Sequence, residues 1–146
     1  MLNKEELLKA KQEGRIDVCP WYPDNISAEG KIVLHLADDV ALKPPLDAET
    51  PVQVEVKTAE HVRIEHFVSN IEKDLKGYID PEIVPGGIWG GGRPAKRIEI
   101  AMGPRTLVIP GHDGPIVVPI INWGTQPQVL KKGTPVVSIY FEPLQD

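Results

Sequence analysis

The sequence predicts an all-β fold, a barrel or sandwich carrying one short N-terminal helix. Three observations support this. Several short runs alternate apolar and polar residues with the period of two that a half-buried strand requires. The 13 Gly and 15 Pro of the 146 residues fall between those runs, as turns do. The last third, Arg105 to Leu144, reads as consecutive short strands joined by turns.

Taken in order, Asn3 followed by Glu6 has the form of a capping box, with Leu7 and Leu8 behind it and Gly14 as a stop. The spacing predicts an amphipathic helix over about Lys4 to Gln12, within an N-terminal unit of residues 1–14. Its apolar face is narrow, which places it on the surface or against a neighbour. Lys31 to Leu36 alternates with Ile32, Leu34 and Leu36 on one face, and Pro44-Pro45 closes that hairpin region. Val52, Val54 and Val56 predict one half-buried strand, and Val62, Ile64 and His66 the next. Ser69 to Gly77 is polar and predicts a loop or one helical turn. A central Gly-rich loop is assigned to residues 78–96, where Gly86, Gly87, Gly90, Gly91 and Gly92 surround Trp89 and exclude a regular helix or central strand. Strands resume over Arg97 to Met102 and Thr106 to Ile109. No internal repeat interrupts this order, and residues 1–146 read as a single domain.

Composition excludes several functions. A formal charge of −5 leaves no basic face for general nucleic-acid binding. A single cysteine, Cys19, allows no internal disulfide, and its Pro20-Trp21 context predicts a packed rather than a reactive thiol. No apolar run is long enough to span a bilayer, and Lys4, Glu5, Glu6, Lys9 and Lys11 interrupt any signal-peptide core. The expectation is a soluble intracellular protein with no membrane partner.

The candidate sites are sparse. Gly87 and Gly92 have Walker spacing, but Arg93-Pro94 follows where Lys and Ser or Thr are required, so a surface loop is the better reading. His61 and Glu65 on one strand would lie about 13 Å apart and His66 on the opposite face, which argues against a metal site. His35 reads as a satisfied surface or interface side chain, and Asp38-Asp39 as solvated charge at a turn. Neither Gly-x-Ser-x-Gly nor a catalytic Cys context is present.

The stretch Val108 to Gly124, then Pro127 to Leu130, Gly133 and Pro135 to Phe141, resembles the C-terminal half of the dUTPase and dCTP deaminase family, which has a β-clip fold and is usually trimeric. Glu13-Gly-Arg-Ile16, Lys31 to Ala37 and Asp80 to Val84 leading to Arg93 extend the likeness. Pro110 to Leu144 is its specific part. The resemblance also implies where the chemistry should sit, and there this chain departs from it. Pro94-Ala95-Lys96 stands where the family has phosphate-binding serines. Ile109 matches the water-activating Asp of dUTPases, and Pro119 the general acid/base Glu of dCTP deaminases. Lacking a ladder donor, Pro119 is expected at a sheet edge or bulge. His112 replaces the aromatic residue of the turn.

With several proton-transfer groups missing at once, the resemblance implies a non-catalytic homotrimer needing no cofactor or metal, most concretely a phage capsid decoration protein whose partner is a shell protein and whose location is the virion. The alternative is a divergent dUTPase, dCTP deaminase or nucleotide-binding regulator acting on pyrimidine deoxynucleoside triphosphates. Its site would lie between subunits near Arg93, Lys96, Arg97, His112 and Asp113, with Mg²⁺ as cofactor.

Overall fold

The N-terminal helix forms because its first turn is fully capped. The Asn3 side chain accepts the Glu6 N–H at 2.9 Å while Glu6 accepts the Asn3 N–H at 3.1 Å. In the computed structural model, which describes residues 1–44, 52–82 and 97–144, this helix (α1) runs Lys4–Gln12. Its narrow apolar face is real: Leu7 and Ala10 are fully buried and the rest of the helix lies outward. Leu2 anchors the segment, its N–H donating to Phe141 O at 2.8 Å. The chain passes so close here that a Cβ on Gly30 would fall 1.9 Å from the Leu2 carbonyl oxygen. Gly30 also has φ +99°, so no other residue fits.

Among the described residues ten strands follow: β1 Ile16–Cys19, β2 Ile32–His35, β3 Val40–Leu42, β4 Gln53–Ile64, β5 Leu75–Pro81, β6 Ile98–Ile100, β7 Thr106–Val108, β8 Asp113–Asn122, β9 Gln128–Leu130 and β10 Pro135–Pro143. They form one four-stranded sheet in the order β1-β4-β8-β6, a second in the order β2-β10-β5-β7, and a β3-β9 ribbon. Every pairing is antiparallel. A single hydrophobic cluster takes inward residues from both large sheets, including Val18, Val62, Ile64, Val118 and Ile120 from the first and Leu34, Ile79, Ile139 and Phe141 from the second. The all-β expectation therefore holds.

Four local expectations need correction. Val52–Val56 and Val62–His66 are not successive strands but parts of one long β4, which ends at Ile64. The even-numbered side chains from Val56 to Ile64 are all buried, so the alternation keeps its phase throughout. The polar residues Thr58 and Glu60 at inward positions hide that continuity in the sequence. A bulge between Lys57 and His61 shifts the register against β8. Second, the one helical turn expected after Ser69 is formed, as a 3-10 turn at Ile71–Lys73, but β5 already begins at Leu75, inside the stretch read as loop or turn. Residues 78–81, assigned to the central loop, belong to this inner strand; the rest of that loop, with Arg93 and Lys96, lies outside the described residues. Gly77 sits inside β5 because Ile139, Ile64 and Val108 press against it: a Cβ would meet Ile139 Cδ1 at 3.1 Å.

Third, β3 does not close a hairpin with β2 but pairs with β9, nearly ninety residues on (Val40 opposite Leu130). Fourth, Cys19 is exposed at the end of β1 rather than packed.

Candidate functional site

The residues of the specific turn, Pro110 to Asp113, are clamped to the end of β4. Gly111 N–H donates to Ile64 O at 2.7 Å, and Ile64 N–H returns a bond to His112 O at 2.9 Å. Gly111 provides the positive φ (+94°) that the turn demands. His112 then folds back on its own chain, Nε2 donating to the Gly114 carbonyl at 3.1 Å, which commits that ring nitrogen to a backbone acceptor. The Asp113 carboxylate pairs with His61 Nε2 across β4 and β8. The hydrogen bond from His61 is the main reason its pKa lies below the usual carboxylate range. The positive charges of His61, Arg63 and His112 reinforce this against a smaller opposing effect of burial. A carboxylate so stabilised as an anion is a weaker base than a free one.

Arg97 lies elsewhere. It precedes β6, whose Ile98 pairs with Asn122 at the far end of β8, and its carbonyl accepts the Trp123 N–H at 2.7 Å. Asp113 opens β8 and Asn122 closes it, so at strand rise the two ends are about 30 Å apart. Within one chain the structure brings His112 and Asp113 together but not Arg97. The Arg97 Nε is buried and has no hydrogen-bond partner among the described residues.

The two positions at which the resemblance expects catalytic carboxylates are also described. Ile109 follows β7 with its side chain 62% exposed. Pro119 is not at an edge or bulge. It sits in the inner strand β8, paired with Glu55 on one side, while its carbonyl accepts Ala101 N–H at 2.9 Å on the other. That bond fixes the direction of its missing donor: toward β6, which ends at Ile100. The inner strand tolerates the proline because it lies opposite Ala101, one residue past the end of β6, so a single return bond at the end of that ladder is forgone.

Asn122-x-Gly124 is a structural turn. Asn122 Oδ1 accepts Gly124 N–H at 2.8 Å, while Nδ2 donates to Leu42 O at 3.1 Å and Gln126 O at 3.0 Å. Trp123 Nε1 donates to Glu99 Oε2 at 2.6 Å.

Two carboxylate–histidine pairs escaped the sequence reading. Glu60, buried, accepts the His35 backbone N–H at 2.7 Å and contacts His35 Nδ1 at 2.8 Å. Asp74, also buried, accepts the Phe67 N–H at 2.7 Å and the His66 ring N–H at 2.6 Å. The signal for Glu60 was available: it occupies an inward position of an alternating run, where a carboxylate must have a partner. Nothing local announced Asp74, whose partners lie across a 3-10 turn. Among the described residues no group of three or more His, Cys, Asp and Glu is placed to hold a metal ion.

No family model matches this sequence, and no curated protein is similar to it. The fold does have a solved counterpart. The 2'-deoxycytidine 5'-triphosphate deaminase from Agrobacterium tumefaciens superposes with a TM-score of 0.53 over 98% of this chain, at 12% identity. This is a dUTPase-like fold. The chain spans about half the length of that deaminase (48%), and at this identity the likeness establishes architecture alone. The turns at Gly111 and at Asn122–Gly124, on which the sequence resemblance rests, are both formed. Also among the described residues, no helix is long and apolar enough to cross a membrane.

Proposed function

We propose that this chain is a non-catalytic binding or structural protein which assembles as a homotrimer on a dUTPase-like fold. Its most concrete form is a decoration protein seated on a phage capsid shell and carried in the virion. The observation that carries the reading is the pair Ile109 and Pro119. Where the resemblance calls for an Asp that activates water and a Glu that shuttles protons, the chain has an exposed hydrocarbon and an imino acid. Removing one positioned proton-transfer group typically costs 10²–10⁴-fold in rate, and two are replaced here. Asp113, the nearest carboxylate in sequence, is held as a stabilised anion against His61. The capsid role rests on fold-level analogy with small trimeric phage-head proteins.

Purified protein incubated with dUTP or dCTP and Mg²⁺ is expected to release no dUMP, no dUTP and no pyrophosphate. Turnover well above the uncatalysed rate would overturn the reading.

A second reading is favoured by one feature. The buried Arg97 Nε without a partner is the kind of donor that a nucleotide phosphate would satisfy, as in a nucleotide-binding regulator or a divergent enzyme. The described residues provide no ligand cluster for Mg²⁺, which would then arrive held by the phosphates of its nucleotide. A melting temperature unmoved by millimolar dUTP and dCTP would remove this alternative.

A further inference from the structure

β4 is paired with β8 on both sides of its bulge, but the described residues cover its other edge only in part. β1 pairs with Ile64 back to His61. Leu36 bridges to Thr58, and Ala37 N–H donates to Lys57 O at 3.0 Å. Among the described residues the cover ends there, because the chain turns away at Asp38-Asp39 into β3, which pairs with β9 instead.

The direction of the remaining backbone groups follows from two bonds. Pro119 O accepts from Ala101 on the β6 side, so Val118 and Ile120 direct their groups at β4, and Val56 and Val54 answer them. Lys57 O points the opposite way, to Ala37, and residues of the same parity do likewise. Gln53 and Glu55 therefore aim two N–H and two C=O groups outward, and none has a partner among the described residues.

That bare edge opens onto a groove of about 430 Å³. Its floor is apolar, made by Leu36, Val40 and Val54, and its rim carries Asp38, Asp39 and Glu55, with Lys57 the one basic residue beside the covered end. Asp39 spends one oxygen on the Lys132 N–H, at 2.7 Å, and Asp38 and Glu55 have no ion-pair partner among the described residues.

We propose that this groove binds a segment of a partner protein by strand addition to Gln53–Val56, and that the segment alternates apolar residues with Lys or Arg. Each feature selects part of that chemistry. The four backbone groups require an extended chain, which supplies complementary donors and acceptors at the same 2-residue repeat. Residues facing the floor must be apolar to cover Val40 and Val54. Those facing the rim must be cationic, since none of the three rim carboxylates has a charge partner among the described residues and an acidic segment would be repelled. An edge left bare in a stable protein is a pairing hazard unless guarded, and the acidic rim guards this one against all but basic strands. The inference goes beyond the proposed function and stands whether or not the fold turns over nucleotides.

The test uses the full chain and a fluorescent, end-blocked octapeptide of alternating Val and Lys, followed by anisotropy and by amide exchange. Saturable binding is expected, with exchange at the Gln53 and Glu55 amides slowed at least tenfold. A Val–Glu octapeptide should bind at least tenfold more weakly. So should the Val–Lys peptide N-methylated on alternate residues of its pairing edge, which keeps its charge but loses its ladder donors. Glu55→Lys, an exposed change that leaves the melting temperature unaltered, should weaken the Val–Lys peptide at least fivefold. Three results would overturn the proposal. One is no binding at millimolar peptide, and another is affinity indifferent to N-methylation, which would mean charge attraction only. The third is protection of the two amides in the free protein that grows with its concentration, meaning a second copy occupies the edge.

Discussion

Asp74 shows how much a single buried carboxylate organises. Burial by itself pushes its pKa up, but the Phe67 N–H, the His66 ring and the charges of His66 and Arg15 outweigh that, and it lies below the usual carboxylate value. Its backbone carbonyl also accepts the Leu144 N–H at 3.0 Å, so one residue ties the 66–74 loop to the end of β10. Replacing the side chain in Asp74→Ala leaves the Phe67 N–H without its acceptor and should cost about 2–4 kcal/mol, measured by denaturant unfolding at pH 7. The sign of the pH effect follows from the depressed pKa. The unfolded chain binds the proton more readily, so the contribution is complete above about pH 4–5 and disappears as pH falls through the folded-state value. Asp74→Asn should flatten the acid limb of the stability curve; an acid limb as steep as the wild type's would show that this carboxylate is not its source. At this scale the sequence was legible where a residue's type alone decides and opaque where its partners decide. Ile109 and Pro119 reveal themselves by type alone, because neither can move a proton. Asp74 acquires its role only from partners that folding delivers.

The elements read most clearly where their signals are local. The Asn3–Glu6 box fixes the start of α1, and Gly14, with φ +75°, follows its end, so the helix occupies the residues its spacing predicts. β2 is legible for the same reason, with Ile32 and Leu34 buried in it and Leu36 continuing the alternation just beyond its end. β4 is the instructive failure. Its two polar inward residues look like a break between strands, yet they form its internal joint. Thr58 Oγ1 accepts the Ile116 N–H at 3.0 Å and donates to Glu60 O at 2.9 Å, bridging the bulge where backbone pairing with β8 slips. Thr58→Val keeps the shape and removes both bonds, stranding a buried N–H. It should lower unfolding stability by about 1–3 kcal/mol, while Thr58→Ser should recover most of the loss. Equal stability of the Val variant in urea titration would mean that the bulge does not need the hydroxyl. The pairing of β3 with β9 was beyond any local signal, since its two strands are short and remote in sequence.

For the whole molecule, the question is what the outer faces of the two sheets meet. Along β8, Pro115, Val117 and Pro119 alternate with the buried Ile116, Val118 and Ile120, and so turn their apolar side chains away from the core. Val117 is 44% exposed and lies beyond the end of β6, where β4 is the one neighbour of β8 among the described residues. Three copies closing around an axis would cover such a stripe three times with one set of contacts, which is the economy of cyclic symmetry. A stable interface of this kind buries roughly 800 Å² on each partner. Light scattering should then report three times the 16.1 kDa chain mass at micromolar concentration. Val117→Lys places a charge in that contact without disturbing the core beneath, so it should dissociate the assembly while the circular dichroism spectrum keeps its β character. A wild-type monomer at hundreds of micromolar would remove the trimer and, with it, any site built between subunits. A trimer indifferent to Val117→Lys would instead move the interface off the outer face of β8.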